Sequence, residues 1–556
     1  MVALDVSEST HTNVVPTESG ARSNRIVRAS VHVVAWSLLI APMIRTLSRG
    51  WRPLGDDATI AIGAWRALSL HPPLLGQVTT ASGVGRIASD PGPLEYWLLG
   101  PFVHLDPGQG ALIGSAILCA LVLSVAIEVL WRTSGTWAAV LFVFVMVDMA
   151  IVSPTPFLDP VWNNAFAFFW FSAFLCLAFT VGRGNLRYVP LFLFIGSVTV
   201  DSNLMYLPSV GILMVAALVV GWRTRTPINR RWIWWTVAVG VLCWFGPLYQ
   251  QLFDNHPNLS LLLQPTKNTE GWIYGLRALS RAVSPNPIWA SPRPLNQYIT
   301  YGSDIAHRNV LLGLVVALVI VGIAVAAWRR KDSVLVGMCT VSVGAAIGVV
   351  FLFARTPADD LQSFVWINLA VWQVGACIWL TLGLAVATAV RPQLPEIRAQ
   401  VSEIRAQMGR QPIRFSRRAR RGALVAALAV CGLAGALVSV FPYQNQSVQD
   451  WGGVARVDRM TADVEQHVPK GRISMGILFS GSDFYQPISD EHGVAYLLLA
   501  DGWLPGMEPS LDGLLGMPIH PKSPFVVFSE PGSNFTSVQF YKHYQHLWFL
   551  RGARNK

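Results

Sequence analysis

The chain has 556 residues, of which 53% are hydrophobic and 13% are charged, and its formal net charge is +11. A soluble domain has about 25% charged residues, so this composition excludes a single water-soluble globule and a disordered chain. Helices of about 20 apolar residues that cross a bilayer would account for the high share of apolar residues. The sequence therefore predicts a polytopic membrane protein, whose basic surplus serves membrane topology and not nucleic-acid binding.

Apolar windows of near-helical length recur along the chain and predict an all-α bundle of about eleven transmembrane helices. The windows lie at about 31–48, 110–131, 137–152, 164–181, 188–200, 204–221, 232–248, 310–328, 333–353, 364–387 and 422–441. They follow a polar leader at 1–30, and together they make up a transmembrane domain at 31–441.

Arginine placement predicts how this bundle is oriented. Arg22, Arg25 and Arg28 precede the first window, which puts the N-terminus in the cytosol by the positive-inside rule. The short loops that then face the cytosol are all basic, and the segment 391–421 alone carries nine arginines in an amphipathic pattern typical of a helix on the inner leaflet. On this orientation, the outer side of the plasma membrane carries the loops 49–109 and 249–309 and the C-terminal segment 442–556.

The C-terminal segment 442–556 has the composition of a small soluble domain on the outer face. Residues 451–467 are predicted to form an amphipathic helix, and 473–479 and 525–528 are predicted to form short buried strands. About 115 residues suffice for one small α/β domain. Acceptor binding and structural packing are both open as its role.

Two adjacent carboxylates, Asp56 and Asp57, follow the first window and begin a predicted surface helix. An Asp at a helix N-terminus caps free N–H groups and meets the positive end of the dipole, which explains one of the two residues. Because charge is costly beside a bilayer, the second acid favours a chemical role. One carboxylate could accept a proton from a hydroxyl while the other binds a cation or a second hydroxyl. Capping alone is the alternative interpretation.

A second motif, DPGPLEYWLLGP at 90–101, precedes the second window, and its apolar run at 93–105 is too short to cross a bilayer. With an acidic pair after the first window and a Pro-Leu-aromatic motif before the second, the chain resembles the C-type superfamily of integral-membrane glycosyltransferases (GT-C). That superfamily includes the protein O-mannosyltransferases, the aminoarabinose transferases of lipid A and the mycobacterial arabinosyltransferases. Many relatives carry His where this chain has Asp90.

The resemblance implies an inverting-type glycosyltransferase that acts at the outer face of the membrane. Its donor would be a polyprenyl-phosphate monosaccharide, and its acceptor a cell-envelope glycan or lipid. Asp56 matches the general base of the superfamily, with Asp57 beside it. The composition is typical of high-GC actinobacteria, for which arabinofuranose on decaprenyl phosphate or mannose on polyprenyl phosphate would be the donor sugar. A lipid-phosphate donor needs no nucleotide site, and the sequence has no glycine-rich nucleotide loop.

The departing lipid phosphate requires cationic partners. The outer candidates are Arg66, Arg86 and Arg355, with Arg308 as a weaker one. For Arg355, which directly follows an apolar window, snorkelling to the interface is the alternative interpretation. Polar residues of the outer loops could line the substrate site: His71, Asp90, Glu95, Asp159, Asn163 and Asp201. Of these, Asp159, Asn163 and Asp201, together with Asn203, could hold sugar hydroxyls or a divalent ion, and loop solvation or helix capping is the alternative interpretation.

Two other classes of protein stay open: a transporter or flippase of lipid-linked sugars, and a non-catalytic envelope protein. Transporters usually show internal repeats, broken helices and ionisable residues near the middle of the membrane. This sequence shows no repeat of its windows, and its polar groups gather on one predicted face. The pattern therefore favours the glycosyltransferase.

Overall fold

The computed structural model describes residues 18–79, 88–152, 160–223, 229–254, 257–264, 268–284, 305–363, 367, 369–391, 451–478, 485–507, 522–529 and 537–541. Several predictions lie outside these ranges: the polar leader up to residue 17, nearly all of the basic amphipathic segment, the eleventh apolar window, Arg86 and Asp159.

Eight of the described helices are long and apolar enough to cross a membrane. They are α1 (Glu18–Ser48), α4 (Gly110–Ser134), α6 (Asn163–Gly182), α8 (Leu207–Arg223, with the 3₁₀ turn Leu204–Tyr206 before it), α9 (Arg230–Phe253), α12 (Val310–Arg329), α13 (Ser333–Arg355) and α15 (Leu369–Val390). Each coincides with a predicted window. The structure therefore confirms a helical membrane bundle with eight candidate crossings.

Two further windows form shorter helices, α5 (Thr136–Val152) and α7 (Val189–Ser202). With 14 residues, α7 rises only about 21 Å, which is less than the apolar thickness of a bilayer. It stops at Ser202 because the polar run Asp201-Ser202-Asn203 interrupts the apolar sequence, and Asn203 then accepts a hydrogen bond from the backbone N–H of Met205. The end of α7 therefore places a carboxylate at one end of the bundle.

Helix α6 lies at the centre of the bundle, with its entire apolar window buried. Its aromatic side chains stack with those of neighbouring helices, as Phe174 does with Phe192 of α7, 4.5 Å between ring centroids. By contrast, only 17% of the window is buried in α9 and in α12, so these two helices present apolar surface of the kind that faces lipid. Gly348 of α13 lies against the Cα of Ser209 in α8, a close approach typical of membrane helix pairs.

Short helices lie at the end of the bundle where α1 stops and α4 begins. They are α2 (Asp56–Arg66), α3 (Leu94–Leu105), α10 (Asn258–Leu262), α11 (Gly271–Ala282) and α14 (Ala358–Ser363). Helix α3 corresponds to the predicted interfacial run, and at 12 residues it cannot cross a bilayer. Helices α2 and α3 pack on each other so closely that a Cβ at Gly63 would lie 2.7 Å from the ring of Tyr96.

The C-terminal segment forms an α/β unit, as predicted. Helix α16 (Trp451–His467) has the bounds expected from the sequence, and it precedes a four-stranded sheet in the order β2-β1-β3-β4. The strands are β1 (Arg472–Leu478), β2 (Leu504–Met507), β3 (Phe525–Ser529) and β4 (Ser537–Tyr541). Strand β1 pairs in parallel with β2 and β3, β4 pairs antiparallel with β3, and α17 (Tyr485–Ala500) connects β1 to β2. One apolar core joins this unit to α2 and α3.

Candidate functional site

The acid pair begins helix α2, where Gly55 turns the chain with φ +52° and ψ −123°. Asp56 is exposed and Asp57 is half-buried. Two neutral side chains orient the Asp56 carboxylate: Gln77 donates its amide Nε2–H to Oδ1 at 3.1 Å, and Trp162 donates its indole N–H to Oδ2 at 3.2 Å. These donors come from the first loop and from the residue before α6, so three separate segments meet at this carboxylate.

The sequence left helix capping as an alternative role for the pair. Gly55 occupies the N-cap position, and both acids lie inside the first turn of α2. The helix dipole stabilises negative charge there. The hydrogen bonds described at the Asp56 carboxylate come from Gln77 and Trp162, which lie on other segments, so its orientation involves more than the start of α2.

A second group of three carboxyls lies buried beside the acid pair. Asp90, Glu95 and Asp201 are each at most 4% exposed. Burial raises the pKa of each well above its ordinary value, and the charge of Asp90 adds to the rise in both of the others. The backbone N–H groups of Leu204 and Leu94 offset part of this rise for Asp90 and Asp201 respectively. Such an environment favours carboxyls that are protonated at higher pH than usual.

A chain of amide side chains leads to Asp90 from the ends of α6 and α7. Asn203 donates its amide Nδ2–H to Oδ1 of Asn164 at 2.6 Å, and Asn164 donates to Oδ1 of Asn163 at 3.1 Å. Asn163 in turn donates to the Asp90 carboxylate. The backbone N–H of Leu204 also donates to the Asp90 carboxylate, 2.8 Å from Oδ1. The structure thus brings the predicted residues Asp90, Asn163 and Asp201 to one end of the bundle.

A short two-stranded ladder holds Asp90 and Gln77 together. The Asp90 N–H donates to the Gln77 carbonyl at 2.7 Å, and the Gly76 N–H donates to the Asp90 carbonyl at 3.0 Å. Asn258 of α10 fixes the ladder from the side, because its side-chain amide both donates to and accepts from the backbone of Ser89, each at 2.9 Å. Through Gln77, the ladder connects the buried carboxyls to Asp56.

Tyr96 interacts electrostatically with both groups of carboxylates. It is 5% exposed, and burial raises the pKa of its phenol well above the ordinary value. The negative charges of Glu95, Asp90 and Asp56 raise this pKa further, and Arg66 lowers it. Arg66, in the last turn of α2, is partly buried, and burial lowers the pKa of its guanidinium while the Tyr96 phenolate opposes that change. Among the predicted cations that the structure describes, Arg66 is the one whose charge lowers the pKa of Tyr96.

The remaining predicted residues are placed elsewhere or lie outside the described chain. Arg355 ends α13 and is exposed, close to the bridge between Thr269 and Pro357. His71 is exposed, and its backbone N–H donates to the Ser69 hydroxyl at 3.2 Å. No described contact links either residue to Asp56. Within the described ranges, no three His, Cys, Asp or Glu side chains are placed to share a metal ion.

The sequence analysis did not identify Gln77 or Trp162 as site residues, and it did not predict the contact between α2 and the C-terminal unit. No motif marks Gln77. The only local signal at Trp162 is its position directly before an asparagine pair that begins a window.

No protein-family model, curated protein sequence or solved structure matches the chain. The functional interpretation therefore rests on the chemistry of the site and on the motif resemblance.

Proposed function

We propose that the protein is a GT-C-type glycosyltransferase that uses a polyprenyl-phosphate sugar, with arabinofuranose or mannose as the sugar, and that it acts on a cell-envelope glycan or lipid acceptor. In this proposal the bundle has eleven crossings in the plasma membrane, with the N-terminus in the cytosol and the acid pair and the C-terminal unit outside. The basic residues in the short loops that would then face the cytosol support this orientation.

One observation carries the proposal: an exposed carboxylate, Asp56, is oriented by two neutral donors at the end of a membrane bundle. A general base has to be accessible to its substrate and held in one direction. The bundle end is also where a lipid-anchored donor and a water-soluble acceptor would meet.

In the proposed reaction the Asp56 carboxylate takes the proton of the acceptor hydroxyl. The hydroxyl oxygen forms a bond to the anomeric carbon of the sugar as the bond from that carbon to the phosphate oxygen breaks. The electron pair of the broken bond leaves with the polyprenyl phosphate, and attack from the opposite side inverts the anomeric configuration.

We assign Arg66 the role of binding the departing phosphate. It lies on the same helix as Asp56, and ten residues of helix separate the two Cα atoms by about 15 Å. A long arginine side chain and a bulky phosphate ester can span this distance together. A guanidinium binds phosphate through two parallel hydrogen bonds, which suits a group that gains charge as the bond breaks.

The test uses the purified full-length protein in lipid nanodiscs. It is incubated with radiolabelled decaprenyl-phosphate arabinose and polyprenyl-phosphate mannose and with a panel of envelope glycan and lipid acceptors. The native protein is expected to transfer label from one donor, and Asp56→Asn is expected to lose transfer by at least about a hundredfold, as removal of a general base does. Asp57→Asn, assayed in parallel, tells whether the second carboxylate is also required.

The matched control is Asp106→Asn in the same loop. Asp106 is an exposed carboxylate that accepts backbone N–H bonds from Gly108 and Gln109, and Asn can accept both. Transfer by this variant should equal that of the native protein. Full transfer by both Asp56→Asn and Asp57→Asn, each with a native melting temperature, would contradict the proposal.

A further inference from the structure

The turn that precedes the acid pair is hydrogen-bonded to the C-terminal unit. The Gly55 N–H donates to the Ser489 carbonyl of α17 at 3.3 Å. A Cβ at position 55 would lie 3.2 Å from the Ser489 hydroxyl, and the positive φ of Gly55 already disfavours other residues. The conformation that starts α2 is thus made in contact with a helix more than 400 residues later in the chain.

A second contact from α17 reaches the first turn of α2 through Thr59. The Thr59 hydroxyl donates to the Gly55 carbonyl at 3.1 Å, and Nδ1 of His492 lies 3.3 Å from the same hydroxyl oxygen. The Thr59 hydroxyl has one proton, and it donates this proton to Gly55. Nδ1 of His492 is therefore protonated and donates to the Thr59 oxygen. Both side chains are buried, at 7% and 5% exposure, so water does not replace these bonds.

Two polar contacts and one apolar contact fix α17 and its neighbour α16 against the first loop. The Tyr496 hydroxyl donates to the Pro107 carbonyl at 2.6 Å, and Arg52 pairs with Asp458 of α16 at 3.6 Å. A Cβ at Gly493 would lie 3.0 Å from the side chain of Leu54. The C-terminal unit is therefore anchored on both sides of the turn at Gly55.

We propose that His492 and Thr59 are positioning residues, through which α17 sets the direction of the Asp56 carboxylate. The inference rests on the proposed function, and it assigns the C-terminal unit a part in the transfer step. Gln77 and Trp162 orient the carboxylate at its oxygens, and α17 orients the backbone that carries it. A misplacement of about 1 Å in a catalytic group can slow a reaction by about a hundredfold.

The experiment compares Thr59→Val and His492→Ala with the conservative variants Thr59→Ser and His492→Asn. Serine keeps the hydroxyl, and asparagine offers an amide N–H close to the place of Nδ1–H. With the donor that the native protein turns over, kcat of Thr59→Val and His492→Ala should fall between about tenfold and a hundredfold, while KM for the lipid donor stays constant. Thr59→Ser and His492→Asn should regain most of kcat.

A substrate-free arm measures hydrogen exchange at the first turn of α2 by mass spectrometry. In the native chain the Asp57 and Thr59 amides donate to Leu54 and Gly55 carbonyls at 3.0 Å. Loss of the His492 contact should speed exchange here by about tenfold, the equivalent of one hydrogen bond. Thr461→Val is the matched control, since Thr461 is a buried threonine of α16 that bonds its own helix at Val457.

The outcomes separate this proposal from the proposed function. Faster exchange at 57–59 together with reduced kcat in Thr59→Val and His492→Ala, but not in Thr461→Val, supports the positioning role. A lower melting temperature with unchanged kcat per folded molecule, or unchanged exchange, overturns it. If Asp56→Asn and Asp57→Asn both retain full transfer, the proposed function fails, and the exchange arm still decides whether α17 holds the turn.

Discussion

The carboxylate of Asp201 lies directly against Gly92, so closely that a Cβ at position 92 would overlap its oxygens. Gly92 belongs to the Pro-rich segment before α3, and Asp201 ends α7. A Cβ at Gly76 would likewise lie 2.7 Å from the Asp201 carbonyl oxygen and 2.8 Å from that of Gly92. The first loop thus closes over the end of α7 without room for a side chain at either glycine.

Gly92→Ala should therefore destabilise the protein. Asp201 is 2% exposed, so its carboxylate has little space in which to move away from a new methyl group. Overpacking of a buried site costs about 1–3 kcal/mol. Thermal unfolding in detergent measures the loss, and Gly211→Ala, at a helical glycine with open space around it, is the control that should not melt below the native chain. Equal melting of both variants would contradict the packing.

The buried carboxyls should make the stability of the protein depend on pH. Burial raises the pKa of Asp201 in the folded chain, so the folded state holds its proton more tightly than the unfolded state does. The resulting stability is complete below the ordinary carboxyl pKa of about 4 and is lost as the pH rises toward the folded-state value. The melting temperature should fall as the pH increases from about 4, and it should fall less steeply in Asp201→Asn.

Asp501→Asn provides a control of opposite sign. The hydrogen bond and charge of Lys470 lower the pKa of Asp501 in the C-terminal unit. The stability that Asp501 contributes is therefore present at neutral pH and lost as the pH falls. Asp501→Asn should not reduce the fall of the melting temperature with increasing pH. If Asp201→Asn leaves the slope unchanged, the carboxyl group is not the source of the pH dependence.

Trp162→Phe tests the hydrogen bond at Asp56 without removing the ring. A hydrogen bond to a charged group contributes about 1.5–3 kcal/mol, so its loss should lower kcat for sugar transfer by between about tenfold and a hundredfold. KM for the lipid donor should change little. Trp137→Phe, at an exposed indole of α5, should leave both constants as they are. Native kcat in Trp162→Phe would show that the indole N–H does not orient the base.

Much of the membrane fold could be predicted from the sequence. Apolar windows mark helices because the bilayer imposes length and hydrophobicity on each segment independently of its partners. All eight candidate crossings fall on predicted windows, and the helix at Trp451–His467 has the expected bounds. Helix α7 also falls on a predicted window, 188–200, although its 14 residues are fewer than a membrane crossing needs.

The candidate site could be predicted only in part. The acid pair was recognisable because two charges beside a bilayer are costly, and Asp90, Asn163 and Asp201 were recognisable as polar loop ends. Their contacts were not predictable: the bonds to Asp56 come from residues 21 and 106 positions away, and Thr59 meets a residue 433 positions away. Local periodicity reports which face of a helix is buried, but not which distant segment covers it.

The crossing of α2 and α3 should depend on the absence of a side chain at Gly63. A Cβ there would lie 2.7 to 2.8 Å from three ring atoms of Tyr96, and this ring is buried. Helix propensity alone would make Gly63→Ala stabilising by about 1 kcal/mol, so a net loss of stability shows that the clash dominates. The double variant with Tyr96→Leu should recover part of the loss, because the smaller side chain leaves room for the methyl group. Strict additivity of the two single changes in thermal unfolding would exclude a direct contact between the two positions.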